Sequence, residues 1–347
     1  MPSVTIDAGV LAAPPENGSA EDVHHYVETL LDWSQLLEEP WVAIYMSERA
    51  SEVLFAEGLY PLRDQLRLLF AKNGIVEYDV NTVAQVVNRL LQSTPSFETY
   101  FSIRDVLAEE VTTAPDVLRL CSGTKLQSDL TRCIVLIALL RKHCQEPVSD
   151  HSLILRKAPS STVRVRAQIH FLEHDRTDIT MPPAPPEYFE GDVLVCDNFR
   201  GLIECLDEAT ILLKATDGIG IETAIQIAVY KCRLECGTNP EWDDVPTHRV
   251  GHAFRSSLVR IHPTQEMANK LLRSIVETLA KTNMAAIHWL RTGPGGNDPQ
   301  RLRGSDRAKA WRRDIDRDHH LHYWDCENGC VEIASISFPH NDFAIPE

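Results

Sequence analysis

The sequence predicts an α/β chain of more than one domain: an N-terminal parallel sheet flanked by helices, a β-containing middle segment, and a C-terminal α+β domain. Three observations carry that expectation. Strand and helix signals alternate from Val4 to His143, the pattern that buries a parallel sheet between helices through right-handed crossovers. After Ser149 the texture changes to β-rich pieces. The 347 residues, 44% of them apolar, exceed the roughly 250 at which a single core stops growing.

The elements follow in order. Val4-Thr5-Ile6 is β-branched and reads as a short strand; Pro14-Pro15-Glu16-Asn17-Gly18 interrupts the chain, and Ser19 can cap a helix to about Leu37 with apolar residues at Val23, Tyr26, Leu30 and Leu31. Residues 41–45 predict a second strand. Helical spacing over 49–72 stops at Asn73-Gly74, and 74–78 reads as a third strand. Helices are expected near 80–93, 103–111 and 125–143, then strands at 153–156, 162–172 and 193–195, with Pro182, Pro183, Pro185 and Pro186 as a stiff connector. An amphipathic helix over 219–236 ends at Gly237-Thr238-Asn239-Pro240. The remainder reads as a strand at 253–261, a helix at 264–291, a Gly/Pro loop, and strands at 309–315, 320–326 and 330–338. The expected domains are residues 1–158, a middle segment 159–245, and residues 246–347.

Composition narrows the class. No stretch approaches the ~18 apolar residues of a membrane-crossing helix, and no basic lead precedes the apolar patch near Met1, so the expectation is a cytoplasmic protein without membrane association. Nine cysteines, several in apolar helical runs (Cys133, Cys205, Cys232), read as reduced thiols. The Cys232/Cys236 and Cys326/Cys330 pairs could each supply half of a zinc site, with no clear second pair nearby. Charge is uneven: residues 246–347 hold 14 Lys+Arg against 12 Asp+Glu, a net of +2, leaving 20 against 38, a net of −18, for residues 1–245. Eight of the 14 histidines also lie in the last segment, and such asymmetry predicts modules with different partners.

The first segment carries an ordered series of acids. Asp7 follows the opening strand in Asp7-Ala8-Gly9-Val10-Leu11; Glu52 lies in Ser47-Glu48-Arg49-Ala50-Ser51-Glu52-Val53-Leu54; Asp129 opens an apolar helix through Ala138; Asp150 follows Ser149. Carboxylates at strand ends and helix starts can converge on a hard divalent cation, which takes oxygen ligands and neutralises charge on a transferring phosphate. The series resembles the PIN-domain nucleases over about residues 1–158. That resemblance implies Asp7, Glu52, Asp129 and Asp150 as catalytic ligands of Mg²⁺ or Mn²⁺, with the metal activating water for in-line attack. Singly, the acids have plainer readings: Asp129 stabilises a helix dipole, and Glu52 sits on a solvated face. The −18 segment also lacks the basic footprint of a phosphate binder, so another domain or partner is expected to hold the substrate.

The last segment has its own cadence: a long helix, then Arg301-Leu302-Arg303-Gly304, Ala310-Trp311-Arg312-Arg313-Asp314-Ile315, His320-Leu321-His322-Tyr323-Trp324, and Val331 on to His340. It resembles the RelE/ParE-type toxin fold over about residues 250–345. The resemblance implies Arg312, Arg313 and His340 as catalytic groups of metal-free RNA cleavage, arginine offering a planar donor fork and histidine exchanging a proton near neutral pH. Asn341 and Asp342 stand where that family often has an aromatic residue. Of His319, His320 and His322, only those on one strand face can serve a site, and Trp289, Trp311 and Trp324 read as core.

The expected function is a metal-dependent endonuclease acting on RNA, with DNA as the other possible substrate, in a toxin–antitoxin or phage-defence context and with a protein partner or second copy. Two alternatives stay open. One is a metal-independent RelE-like ribonuclease, which would leave 2′,3′-cyclic phosphates where the metal route leaves 5′-phosphates. The other is a non-catalytic subunit that uses both nuclease-like folds as scaffolds, its acidic segment docking on a basic protein surface.

Overall fold

A computed structural model describes residues 1–121, 123–144, 150–177, 187–327, 329–337 and 343–347. The fold is mixed α/β and forms two compact units, Pro2–Leu206 and Asp207–Glu347. The stretch 159–245, expected as a connector, is divided between them: its strands complete the sheet of the first unit and its later helices belong to the second. The proline cluster lies outside the described residues.

The first unit is built on a six-stranded sheet of order β2-β1-β4-β6-β5-β3, with β1 (Ser3–Ile6), β2 (Ala43–Met46), β3 (Ile103–Ala114), β4 (His151–Ile154), β5 (Thr162–His174) and β6 (Glu187–Cys196). β2, β1, β4 and β6 run parallel, whereas β5 and β3 extend the edge antiparallel. Its helices are α1 (Ala8–Leu11), α2 (Ala20–Leu36), α3 (Ala50–Ala56), α4 (Arg63–Asn73), α5 (Val80–Ser93), α6 (Phe97–Phe101), α7 (Thr124–His143) and α8 (Phe199–Cys205). Ser19 caps α2 as expected and shares a reciprocal capping box with Asp22. The apolar run of α7, Cys133 to Leu140, packs with Leu153, Val163, Val165, Val193 and Val195 into the core under the sheet.

Three expectations for this unit change. Residues 103–111 form a strand, because Ile103, Val106, Thr112 and Thr113 pair along β5 and this tertiary pairing outweighs the helix propensity of Leu107-Ala108-Glu109-Glu110. The helix over 49–72 breaks at Gly58, whose φ of +68° ends α3. Residues 75–79 are an irregular link rather than a strand, entered through the left-handed C-cap Gly74 at φ +67°.

The second unit holds α9 (Glu208–Lys214), α10 (Gly218–Glu235), α11 (Phe254–Ile261) and α12 (Gln265–Leu279) beside a five-stranded sheet. The sheet order is β7-β11-β10-β9-β8, with β7 (His248–Val250), β8 (Ile287–Trp289), β9 (Lys309–Asp314), β10 (His320–Asp325) and β11 (Val331–Ser337). Residues 254–261, expected as strand, are helical: Phe254, Ser257 and Leu258 share one buried face, and the Ser257 hydroxyl accepts the Ile336 N–H at 2.9 Å. The long helix stops at Leu279 instead of 291 because Lys281 and Asn283 take left-handed backbone, at φ +54° and +48°. Trp324 is fully buried, but Trp289 is 57% exposed and is not core. Among the described residues no helix is long and apolar enough to cross a membrane.

Candidate functional site

The order of β1 and its neighbours creates a crevice. From β1 the chain crosses to β2 on one side, and it later returns to place β4 on the other. The carboxyl ends of β1 and β4 therefore flank a topological switch point, where open α/β sheets place their ligands.

Asp7 stands at that point. Its N–H donates to Ile154 O at 3.0 Å, and its carboxylate caps α1 by accepting the Gly9 N–H at 2.9 Å. A Cβ on residue 9 would lie 2.6 Å from that carboxylate oxygen, so only glycine leaves Asp7 in place. Asp129 is brought in by α7, whose start is fixed from α3: Glu57 accepts the Lys125 N–H at 2.6 Å. Ser47, just past β2, donates to Asp129 Oδ1 at 3.0 Å. Arg132 Nη2 donates to Ser47 Oγ at 2.9 Å, to Asp129 Oδ1 at 3.3 Å and to buried Glu98, which also accepts the Glu48 N–H at 3.1 Å and the Ser96 hydroxyl at 2.8 Å. Asp129 Oδ2 is buried with no hydrogen-bond partner.

The electrostatics follow from this packing. Burial, then the charge of Asp129, pushes the Asp7 carboxyl up to about 7 against the Gly9 and Ala8 N–H groups. Burial also raises Asp129, despite Arg132 and Ser47. The Cys121 thiol beside them is pushed up to about 12, by burial first and by the two carboxylates next, which keeps it protonated.

A cavity of about 470 Å³ opens over Asp7, walled by Tyr26, Arg119, Cys121, Arg156 and Lys157. Arg156 and Lys157 directly follow Leu155 at the carboxyl end of β4, and their charge reaches Asp22 on the same cavity wall. Residues 1–206 carry 17 Lys+Arg against 30 Asp+Glu, a net of −13, so these cations are concentrated locally against the charge of their surroundings.

Of the four acids expected to share a metal, Asp7 and Asp129 are near enough for the charge of Asp129 to act on the Asp7 carboxyl. Glu52 is exposed on α3, outside the buried network. Asp150 precedes β4, and since Ser3 pairs with His151 and Ile6 with Ile154, it stands at the opposite end of the parallel strands. Five residues at roughly 3.3 Å each separate it from the level of Asp7, about 16 Å along the strand, which removes it from any common ligand set. Among the described residues no group of three or more His, Cys, Asp or Glu side chains is placed to hold a metal. The residues that sequence reasoning missed are Glu98 and Arg132, joined across 34 positions with no local signal, and the Arg156-Lys157 pair, legible as two cations closing a buried strand.

Comparison of the chain with protein-family models, with curated proteins and with solved structures gave no match.

In the second unit, Arg312 and Arg313 are consecutive on β9 and so face opposite sides of the sheet. Arg313 is fully buried and held by Glu277 Oε2 at 2.8 Å, Asn283 O at 3.3 Å and Thr282 O at 2.6 Å. It anchors the end of α12 and cannot share a phosphate with Arg312, which corrects the expected pair. His340 lies outside the described residues. His320 and His322 share the Arg312 face, where His320 and His288 flank Asp314 at 3.1 and 3.3 Å, while His319 is tied to Asp316 at 2.9 Å.

Proposed function

We propose that residues 2–206 form a metal-dependent endonuclease acting on RNA. The observation that carries this reading is Asp7 at the switch point, on the wall of a cavity it shares with Arg119, Arg156 and Lys157, with the charge of buried Asp129 acting on it from α7. Asp7 and Asp129 fit a Mg²⁺ or Mn²⁺ ion held by two carboxylates, a mode in which water and substrate oxygens complete the shell. The partnerless Asp129 Oδ2, and the burial followed by the Asp129 charge that raises Asp7, are what such a cation would relieve. When bound, the ion would act as a Lewis acid and lower the pKa of its water.

The chain's own residues have separate tasks. Arg156 and Lys157 attract and seat the phosphate backbone. The Gly9 N–H fixes one Asp7 oxygen, and Ser47 with Arg132 fixes one Asp129 oxygen, which leaves the second oxygen of each carboxylate for the reaction. Glu52 and Asp150 have no role in this reading. The opposed directions of Arg312 and Arg313 count against a RelE-like centre in the second unit.

The test is cleavage of single-stranded RNA with Mn²⁺, with and without EDTA, by the native chain and by Asp7→Asn. Products with 5′-phosphate ends, lost on either change, are expected. Cleavage that survives both changes and leaves 2′,3′-cyclic phosphates would transfer the activity to another site.

A further inference from the structure

Trp289 is the one exposed aromatic side chain among the described residues of the second unit, at 57%. A single apolar residue in water needs no explanation, but this one belongs to a pattern. The register sets Trp289 on β8 opposite Trp311 on β9, and Trp311 opposite Tyr323 on β10, so three aromatic side chains stand on one face in adjacent strands. Exposure grades along the row: Tyr323 is buried, Trp311 half-buried and Trp289 open. The charge around the row is opposite in sign to that of the chain. Residues 287–313 hold 7 Lys+Arg against 2 Asp+Glu, a net of +5 in a chain of net −16. Arg303 and Arg313 are held inside by Glu332 and Glu277, whereas Arg307 and Lys309 are exposed. Lys309 lies two residues before Trp311 on the same strand and turns to the same face. Arg291 lies two residues beyond Trp289, where the chain still bridges in extended form to Gln300.

We propose that this end of the sheet is a stacking platform for single-stranded nucleic acid. The Trp289 and Trp311 indoles take the faces of successive bases, and Lys309, Arg307 and Arg291 hold the phosphates alongside. Every base offers a π face and every nucleotide a charge, so aromatic residues in line on a flat sheet with cations beside them bind a strand without reading its sequence. A duplex keeps its base faces stacked inside and has none to offer the indoles. Nucleic acid as the ligand follows from the nuclease reading of the first unit, on which the platform rests: a unit of net charge −13 leaves much of the phosphate affinity to be supplied elsewhere.

The test measures binding apart from cleavage. The full chain in EDTA is titrated into a fluorescent single-stranded 2′-O-methyl oligonucleotide, and anisotropy is followed across a salt series. Trp289→Ala is expected to weaken binding about fivefold or more, the loss of one stacked base, and Trp289→Phe to restore most of it. Lys309→Ala is expected to make the salt slope shallower by about 0.7. Asp325→Asn removes the carboxylate opposite Lys309 and is expected to tighten binding. A strand of the same backbone without bases should bind the native chain and Trp289→Ala equally. Lys157→Ala, in the first unit, reports on the parent reading. Binding that falls in Lys157→Ala but is unchanged in Trp289→Ala overturns the platform alone. So does a Trp289→Ala chain that sediments as a smaller species than the native chain, which would make this surface a contact between copies. Absence of both binding and cleavage overturns the nuclease reading and the platform with it.

Discussion

Asp7 and His151 give stability opposite pH dependences. The Asp7 carboxyl moves from 3.8 up to about 7 on folding, so the fold favours its protonated form. The stability it contributes is complete below pH 3.8 and is lost as the pH rises through about 7, a change on the order of 4 kcal/mol. Asp7→Asn keeps an oxygen for the Gly9 N–H and removes the charge. It is expected to melt higher than the native chain at pH 8, to match it near pH 4, and to lack the stabilisation by Mn²⁺ expected of the native chain in a thermal shift assay. His151 acts in the other direction. Its ring is fully buried, with Nδ1 and Nε2 each 2.8 Å from the hydroxyls of Ser3 and Thr5, and burial followed by the Arg141 charge depresses it from 6.5 to about 3. Its contribution is present above pH 6.5 and lost as the pH falls toward 3. His151→Phe should flatten that acid limb in a pH series of denaturant midpoints, while leaving two buried hydroxyls without partners at about 1–3 kcal/mol each.

At the scale of elements, the site depends on how α7 begins. Gly123, at φ +119°, turns the chain against Glu57, and Glu57 accepts a backbone N–H of the first turn of α7. Glu57→Ala is expected to destabilise the first unit by about 1 kcal/mol in chemical denaturation and to reduce RNA cleavage more than that loss of fold explains, because Asp129 lies one turn further on. Much of this was legible in the sequence. Val4 to Asp7, the Ser19 cap and the apolar run after Asp129 announce themselves by local chemistry, and local chemistry decides short strands, caps and buried helices. What was illegible depends on partners far away in the chain. β3 is a strand only because β5 lies beside it, Glu98 is buried only because Arg132 reaches it, and Asp150 leaves the acid series only through the register of β4 on β1. Glu52 shows the converse, since helical spacing alone does not say which face of a short helix meets solvent.

The whole molecule consists of two compact units with different charge, −13 over residues 1–206 and 17 Lys+Arg against 20 Asp+Glu, a net of −3, over residues 207–347. All the groups assigned to RNA cleavage belong to the first. Residues 1–206 expressed alone are therefore expected to unfold in one cooperative transition and to cleave RNA in Mn²⁺, whereas residues 207–347 alone should not; activity found only in the second fragment would contradict the assignment. The position of Arg156 and Lys157 has a further consequence for how this sequence can change over time. They begin where the pairing of β4 stops, so the strand works as a ruler that sets where both cations meet the cavity. Exchanges of one side chain for another leave that ruler intact. Inserting or deleting one residue between Ile154 and Arg156 shifts both cations by one position, so the lineage should tolerate exchange of one basic residue for the other there while rejecting any alteration in spacing.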